Sequence, residues 1–298
     1  MSTSPLRFDR VYIEITDRCP LACSFCPGTG PRNALMSPAL FARIAAQCAA
    51  FTDQVCLHVL GEPLVHPQFA ELLDICAHNG LRVVLTTNGV LLDAAGDALG
   101  HPALRQINIS MQAALELSQE RQAAYWPALS RYLLRAETER PDLYINLRLW
   151  TQRARGDAAN DVEQRALTAL HTHADLEIPP TAAAQGFRSR RLRGRLYFHR
   201  DTQFTWPADA CGPARTRGFC HALSTHFAVL SDGTVVPCCL DHLGLLPLGN
   251  AAQMPLAEIL QGPRAVQMRQ GFSRGALVES LCQRCTYAHR FRQRAVGT

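Results

Sequence analysis

Residues 11–26 read VYIEITDRCPLACSFC, and this stretch decides the fold. Val11–Ile15 is β-branched and aromatic with one acidic interruption, the composition of a strand. Cys19, Cys23 and Cys26 follow at once in a C-x3-C-x2-C array, on a loop leaving the strand's C-terminal end. Three thiolates this close can hold three irons of a [4Fe–4S] cluster, leaving the fourth iron open. Zinc is the alternative, but it needs a fourth ligand, and the loop supplies no further Cys or His.

Outward from this unit the chain alternates two periodicities. Residues 38–50 predict a helix, with Ser37-Pro38 as cap and first position and Phe41, Ile44, Ala45 and Cys48 on one face. Val55–Leu60 predicts a strand, and 67–79 a helix with Phe69, Leu72, Leu73 and Cys76 apolar, ending at Asn79-Gly80. Arg82–Thr86 is the next strand, followed by a weaker helix at 90–99. Gln106–Ser110 is a strand and 118–138 a helix, in which Pro127 marks a kink or break. Tyr144–Leu149, a helix at 160–172 and a short strand at Ala174–Ile178 complete six strand–helix repeats. The rhythm is that of a parallel α/β sheet, either a barrel or an open doubly wound sheet. In both, ligands gather at the C-terminal ends of the strands.

Composition narrows the chemistry. All 30 basic residues are Arg, so no Schiff base and no phosphate-binding lysine is available. Arg is then the only permanent side-chain cation for a carboxylate or phosphate. The 12 cysteines exceed the usual number for 298 residues. The polar stretch at 1–10 has no apolar core of a secretory signal, and the longest uncharged run, 242–257, is 16 residues with two prolines. A cytoplasmic protein without a membrane span is expected, and in a reducing compartment its cysteines are more readily metal ligands than disulfides. The net charge of +5 concentrates in Arg188, Arg190, Arg191, Arg193 and Arg195 and in Arg290, Arg292 and Arg294. Without aromatic interleaving in sequence, these clusters are taken as solvated segments, and nucleic acid is not an expected partner.

The C-x3-C-x-aromatic-C signature of residues 19–26, with Phe25 as the aromatic, resembles the hallmark of the radical S-adenosylmethionine (SAM) superfamily. The resemblance implies a partial, six-unit β/α barrel. It also implies a [4Fe–4S] cluster held by Cys19, Cys23 and Cys26, whose open iron is chelated by SAM, and a 5′-deoxyadenosyl radical that removes a substrate hydrogen. Leu60-Gly61-Glu62-Pro63 is similar to the family's GGEP motif, with Leu60 in place of the first glycine, and implies that Glu62 binds the SAM amino group. Thr86-Thr87-Asn88-Gly89 matches its common TNG turn. Ser110 stands where the family often places a ribose or carboxylate contact. Arg148, in the fifth strand, would pair with the SAM carboxylate or else with a structural partner. His58 and His66 flank the acidic motif and are expected to be structural.

Downstream, Phe227–Leu230 and Thr234–Pro237 flank Ser231-Asp232-Gly233, a hairpin signal, and short helices are expected at 255–261 and 263–270. Cys220, Gly233, Cys238, Cys282 and Cys285 form C-x12-G-x4-C…C-x2-C, which resembles the SPASM and Twitch auxiliary-cluster domains in a shortened version. That implies a second [4Fe–4S] cluster on Cys220, Cys238, Cys282 and Cys285, with a zinc ribbon as the alternative. Cys239 could replace Cys238, Cys211 is a weaker spare, and Cys48, Cys56 and Cys76 fall on core faces. The expected organisation is a barrel at 1–180, a linker with an Arg-rich loop at 181–210 and a cysteine-rich hairpin and helix domain at 211–298. The function expected is SAM-dependent oxidation or rearrangement of a small metabolite, fed by a flavodoxin- or ferredoxin-type reductant. A maturase acting on a peptide or nucleobase, and a non-enzymatic iron–sulfur or zinc protein, are the alternatives.

Overall fold

The computed structural model describes residues 6–28, 30–151, 157–176 and 189–291. Strands β1 (Arg10–Ile13), β2 (Gln54–Cys56), β3 (Arg82–Thr87), β4 (Leu104–Ser110) and β5 (Tyr144–Thr151) lie side by side and parallel. β6 (Ser189–Arg193) and β7 (Leu196–Thr202) form a hairpin whose second arm pairs parallel with β5. At the other side β8 (His226–Val229) pairs parallel with β1, and β9 (Thr234–Val236) and β10 (Gly249–Asn250) continue antiparallel. The order is β10-β9-β8-β1-β2-β3-β4-β5-β7-β6, an open sheet with six parallel barrel strands from β1 to β7, a partial β/α barrel.

The helices cover the outer face. α1 (Pro38–Cys48) starts where the Ser37 side chain accepts from the Leu40 amide, with Pro38 in the first turn. It buries Phe41, Ile44, Ala45 and Cys48, and α2 (Phe69–His78) buries Phe69, Leu72, Leu73 and Cys76. The expected helix at 90–99 is a single turn, α3 (Leu92–Ala95), extended by a 3-10 segment. After β4 come α4 (Met111–Ala114) and α5 (Gln119–Glu139), which runs through Pro127 without ending. α6 (Asp157–Ala174) closes the series. Along β1, Val11 and Ile13 are fully buried against the helices, while Arg10 and Tyr12 point the other way, into the barrel. Inside, Gln106 and Asn146 amides donate to Asn108 Oδ1, and Asn108 donates to Thr86 Oγ1, a polar ladder across three strands. After the hairpin, α7 (Leu256–Gln261) packs on α1 and α8 (Pro263–Ser273) on α7, while α9 (Ser280–Arg284) brings Cys282 to the cavity.

Two expectations are corrected. Ala174–Ile178 is not the sixth strand: Ala174 ends α6, Asp175 has a left-handed φ of 50°, and residues 177–178 lie outside the described residues. The sixth parallel strand is β7, drawn from the segment expected to be a linker at 181–210. Leu196 and Phe198 turn inward to the core, while Arg190 and Arg191 stand exposed on the edge strand β6 and Arg193 pairs with Glu137 at 3.1 Å. Charge on an edge strand blocks further pairing and also hides the strand's alternation in the sequence. Arg188 lies outside the described residues. The boundary at residue 180 therefore cuts through the barrel, and the cysteine-rich segment shares the barrel's sheet through β8.

What joins the parts is a buried carboxylate. Glu14 follows β1 and is fully buried. Its Oε1 accepts from Arg32 Nη2 at 3.1 Å and from the Ser231 amide and hydroxyl at 3.3 and 3.2 Å. Its Oε2 accepts from the Leu60 amide at 3.1 Å. Arg32 also donates to the His242 carbonyl at 2.7 Å. Asp17, equally buried, accepts from the amides of Arg32, Asn33 and Ala34. Burial raises the Glu14 pKa, and the Arg32 charge counters it. In an Arg32→Met variant the carboxylate stays buried with its cation gone, a loss of about 3 kcal/mol or more at pH 7. Because the folded pKa is raised, the folded chain takes up the proton at higher pH than the unfolded chain, so that penalty shrinks as pH falls toward the unfolded carboxyl pKa. Urea denaturation of both proteins across this pH range measures it.

Candidate active site

One cavity of about 710 Å³ opens at the C-terminal ends of the barrel strands and reaches the cysteine-rich segment. Its wall carries Cys19, Cys23 and Cys26 at one part, and Cys220, Cys238, Cys282 and Cys285 at another. The seven residues expected as ligands, 266 positions apart at the extremes, thus face one space. Phe25, Gly61, Glu62, Ser110 and Arg148 line it as well.

The first thiol loop is held from three sides. Ser24 donates through its amide and its hydroxyl to the two oxygens of Glu116, both at 2.6 Å. Asn88 Nδ2 reaches Cys19 Sγ at 3.7 Å. Gly61 lies against the backbone leading into the loop, with φ at 74°. A Cβ there would stand 2.5 Å from the Thr16 carbonyl oxygen and 2.9 Å from that of Arg18. This glycine is a close-approach position first, and lines the cavity second. Burial pushes all three thiols up, Cys23 to about 12. Only a bound cation such as iron would hold them as thiolates at neutral pH.

Glu62 ends the β2 turn and is 1% exposed. Oε1 accepts from the Leu64 amide at 3.1 Å and the Thr87 hydroxyl at 2.7 Å, and Oε2 from the Asn88 amide at 2.7 Å. A carboxylate offers four acceptor sites, so one remains. Burial raises its pKa to about 7 against these three bonds. The TNG turn is thereby wired to the acidic motif, while Gly89, at φ 83°, leaves no room for a Cβ beside the Tyr125 hydroxyl. His66 is structural, bonded to the Met36 carbonyl and accepting from the Gln68 amide. His58 faces the cavity instead, edge-on to Tyr12, its Nδ1 buried without a partner and its pKa lowered to about 3 by burial.

In the second group burial raises Cys220 to about 11 and Cys238 and Cys282 well above the thiol range, and the neighbouring cysteines push in the same direction. Cys238 is acted on by Cys220 and Cys282, and Cys282 by Cys220 and Cys285, a mutually close set. Cys239 also lines the cavity but is hydrogen-bonded to the Tyr12 side chain. Cys211 is exposed and outside the cavity. Cys48, Cys56 and Cys76 are buried. The donor chemistry of both groups, sulfur alone with nearby amide donors such as Ala222 N to Cys220 Sγ at 3.4 Å, fits iron–sulfur ligation. Among the described residues no three His, Cys, Asp or Glu side chains converge on a single metal ion. A four-iron cluster makes no such demand, since each thiolate binds a different iron.

Several wall residues had not been expected. Arg10 and Tyr12 are there by the alternation of β1, which the sequence carries. His199 and Asp201 are there by the alternation of β7, a strand the sequence conceals. Trp150, Phe204 and Tyr287 form an aromatic flank, with Trp150–Phe204 centroids at 5.9 Å and Phe204–Tyr287 at 5.3 Å. Glu116 carries no signal at all, since its role depends on how α4 meets the thiol loop.

Comparison with known proteins agrees with this geometry. Residues 13–129 match the Radical SAM superfamily, and residues 220–286 match SPASM, an iron–sulfur cluster-binding domain. A probable GTP 3′,8-cyclase of Methanosarcina mazei is 35% identical over 106 residues, 33% of this chain and 31% of that protein. The GTP 3′,8-cyclase of Chlorobaculum tepidum is 34% identical over 107 residues, 35% of this chain and 32% of that protein. The match thus spans about a third of the length of these relatives. Among solved structures, BtrN in complex with AdoMet and 2-DOIA is similar at TM-score 0.56 and 16% identity, over 94% of this chain and 93% of that one. Native anSMEcpe with bound AdoMet and the Cp18Cys peptide is similar at TM-score 0.58 and 14% identity, over 93% and 86%. Streptococcus suis SuiB bound to the precursor peptide SuiA is similar at TM-score 0.55 and 15% identity, over 94% and 71%.

Gly61→Ala tests the close approach directly. The added methyl meets backbone rather than a movable side chain, so the turn must shift away from the thiol loop. The expected outcome is a folded protein that takes up only about half the iron of the parent on anaerobic reconstitution. Iron and labile sulfide assays read it.

Proposed function

Because the chain belongs to the radical SAM superfamily and carries a SPASM iron–sulfur domain, we propose that this enzyme cleaves SAM reductively and removes a hydrogen atom from a compact metabolite. The substrate is then oxidised or rearranged with help from one auxiliary [4Fe–4S] cluster. The observation that carries this reading is that both thiol groups line one cavity.

In this proposal Cys19, Cys23 and Cys26 hold the cluster with the open iron, with Phe25 beside them, and Cys220, Cys238, Cys282 and Cys285 hold the auxiliary one. Gly61 sets the turn that carries Glu62, whose free acceptor site receives the SAM amino group, and Ser110 contacts the remainder of SAM. The cluster supplies, when bound, the electron that splits SAM into methionine and the 5′-deoxyadenosyl radical. The substrate gives its hydrogen atom to that radical, forming 5′-deoxyadenosine. For a net two-electron oxidation the substrate would lose one further proton and one further electron, which an auxiliary cluster on Cys220, Cys238, Cys282 and Cys285 would accept. With no lysine in the chain, the wall offers a carboxylate, imidazole or phenol for that proton, among them Asp201, His199 and Tyr12. The first electron comes from a reductant protein of the flavodoxin or ferredoxin type. A cavity of about 710 Å³ that would also hold both clusters and SAM favours a small metabolite over a peptide. Among the described residues no helix is long and apolar enough to cross a membrane.

Anaerobic reconstitution tests the reading. The expected result is about eight irons per chain and 5′-deoxyadenosine formation with dithionite. Replacing Cys19, Cys23 and Cys26 by Ala should leave about four irons and no cleavage. Replacing Cys220, Cys238, Cys282 and Cys285 should leave about four irons with cleavage retained, and Cys239→Ala should keep all eight. About four irons plus zinc in the parent would sink the auxiliary cluster.

The Glu62 carboxyl predicts a pH dependence. Below its raised pKa of about 7 it is protonated and loses the acceptor needed for the SAM amine. SAM affinity should weaken by up to roughly tenfold for each pH unit below that point. Glu62→Gln should bind SAM weakly at every pH and abolish the slope, as equilibrium dialysis would record.

A further inference from the structure

Glu116 follows α4 and reaches across 92 positions to Ser24, which stands between Cys23 and Phe25 in the first thiol loop. Both carboxylate oxygens are engaged, Oε2 by the Ser24 amide and Oε1 by its hydroxyl, each at 2.6 Å. Among the described residues no arginine or histidine forms an ion pair with Glu116, so its charge acts on the loop alone. Its support is rigid. Met111, Gln112, Ala113 and Ala114 of α4 are all buried, and the Glu116 and Leu117 amides donate to the Ala113 and Ala114 carbonyls at 3.3 and 3.1 Å. Glu116 and Ser24 are both exposed, and neither lines the cavity. The carboxylate therefore approaches the loop from outside, apart from Glu62 and from any site for SAM or substrate. Exposed pairs add little to global stability, so this contact matters for what it orders.

The Ser24 amide adjoins Cys23. Turned to Glu116, it is withheld from the sulfur of a cluster bound there. Net charge and hydrogen bonds to sulfur are two of the levers on a cluster's reduction potential. A donor to sulfur favours the added electron, and a fixed anion opposes it. The Glu116 contact removes the first and supplies the second, so both effects lower the potential. At the far end of the array Asn88 Nδ2, 3.7 Å from Cys19 Sγ, acts the other way. The charge is within reach of two of the three cysteines: burial raises the Cys23 and Cys26 thiols, and Glu116 acts on both in the same direction.

We propose that Glu116 is a positioning residue that orders the thiol loop before a cluster is bound and lowers the reduction potential of the cluster once it is in place. The proposal rests on the assignment of Cys19, Cys23 and Cys26 to a cluster. A lower potential makes the reduced cluster a stronger one-electron donor, which reductive cleavage of SAM requires.

The test is a redox titration of the reconstituted full-length protein, followed by electron paramagnetic resonance. The first cluster is identified as the signal missing when Cys19, Cys23 and Cys26 are all replaced by Ala. Glu116→Gln should keep about eight irons and raise the reduced-to-oxidised ratio of that cluster at a fixed potential by about threefold or more, a midpoint about 30 mV higher for one electron. The second signal should not move. Because Glu116 is exposed, the difference from the parent should narrow as salt is added. Glu116→Asp, with its charge drawn back by one methylene, should shift the midpoint less, and Ser24→Ala, which keeps the amide bond and the charge, should leave it near the parent's. In the iron-free protein, hydrogen exchange of the segment 19–28 should be faster in Glu116→Gln.

An unchanged or lower first-cluster midpoint in Glu116→Gln overturns the proposal, as does an equal shift of both signals. If Glu116→Gln binds only about four irons, Glu116→Asp decides, and an unchanged midpoint there overturns it. A parent lacking the first signal sinks the proposed function instead, and hydrogen exchange of the iron-free proteins still shows whether Glu116 orders the loop.

Discussion

The buried Glu14 carboxylate is the point on which the rest of the structure turns. It stands at the end of the first strand, and its two oxygens reach the acidic-motif turn through Leu60, the auxiliary hairpin through Ser231, and the segment behind the thiol loop through Arg32. Arg32 carries the link onward to the His242 carbonyl. A carboxylate enclosed this completely is tolerated only when it is paired and hydrogen-bonded, and four hydrogen bonds from three separate segments allow few geometries. The three loops that surround the cavity are therefore set relative to one another by a single residue outside the cavity wall.

The shared sheet explains why two distant cysteine groups serve one space. β8 pairs with β1, so the hairpin bearing Cys238 is an extension of the barrel rather than a separate cap. Gly233, with φ of 87°, makes the tight turn between its arms. The same sheet sets Arg148 on the cavity wall, in register with Ser110 and against the Trp150 ring. In a chain whose cations are all arginine, planar two-point recognition is available at each of them, while proton transfer falls to carboxylate, imidazole and phenol groups.

Much of the fold was legible because buried faces repeat. The faces of α1 and α2 appear in the sequence residue for residue, since nothing competes with the helical period there. β2 is shorter than Val55–Leu60 suggests, because the chain leaves the sheet to bring Leu60 to Glu14 and Gly61 over the thiol loop. β7 is hidden in the sequence because its arginine-rich partner strand reads as a solvated loop, while Ala174–Ile178 offers a strand-like pattern that the end of α6 overrides. The cavity residues split the same way. Cysteines, the acidic motif and the TNG turn are local patterns, and all of them reach the cavity. Glu116, Trp150, His199 and Asp201 depend on contacts between segments far apart in sequence, which no local spacing encodes.

The sequence by itself determined the ligand chemistry: thiols at spacings suited to clusters, one acidic turn beside them, and arginine as the sole permanent cation. These are properties of residue type and short spacing, set by covalent geometry. Only the tertiary structure decided that the two thiol groups share a cavity, that the sixth barrel strand lies at Leu196–Thr202, and that Arg148 stands against Trp150. Those facts arise from strand order and register in the sheet, where pairing across many residues, not the local pattern, sets which side chains meet.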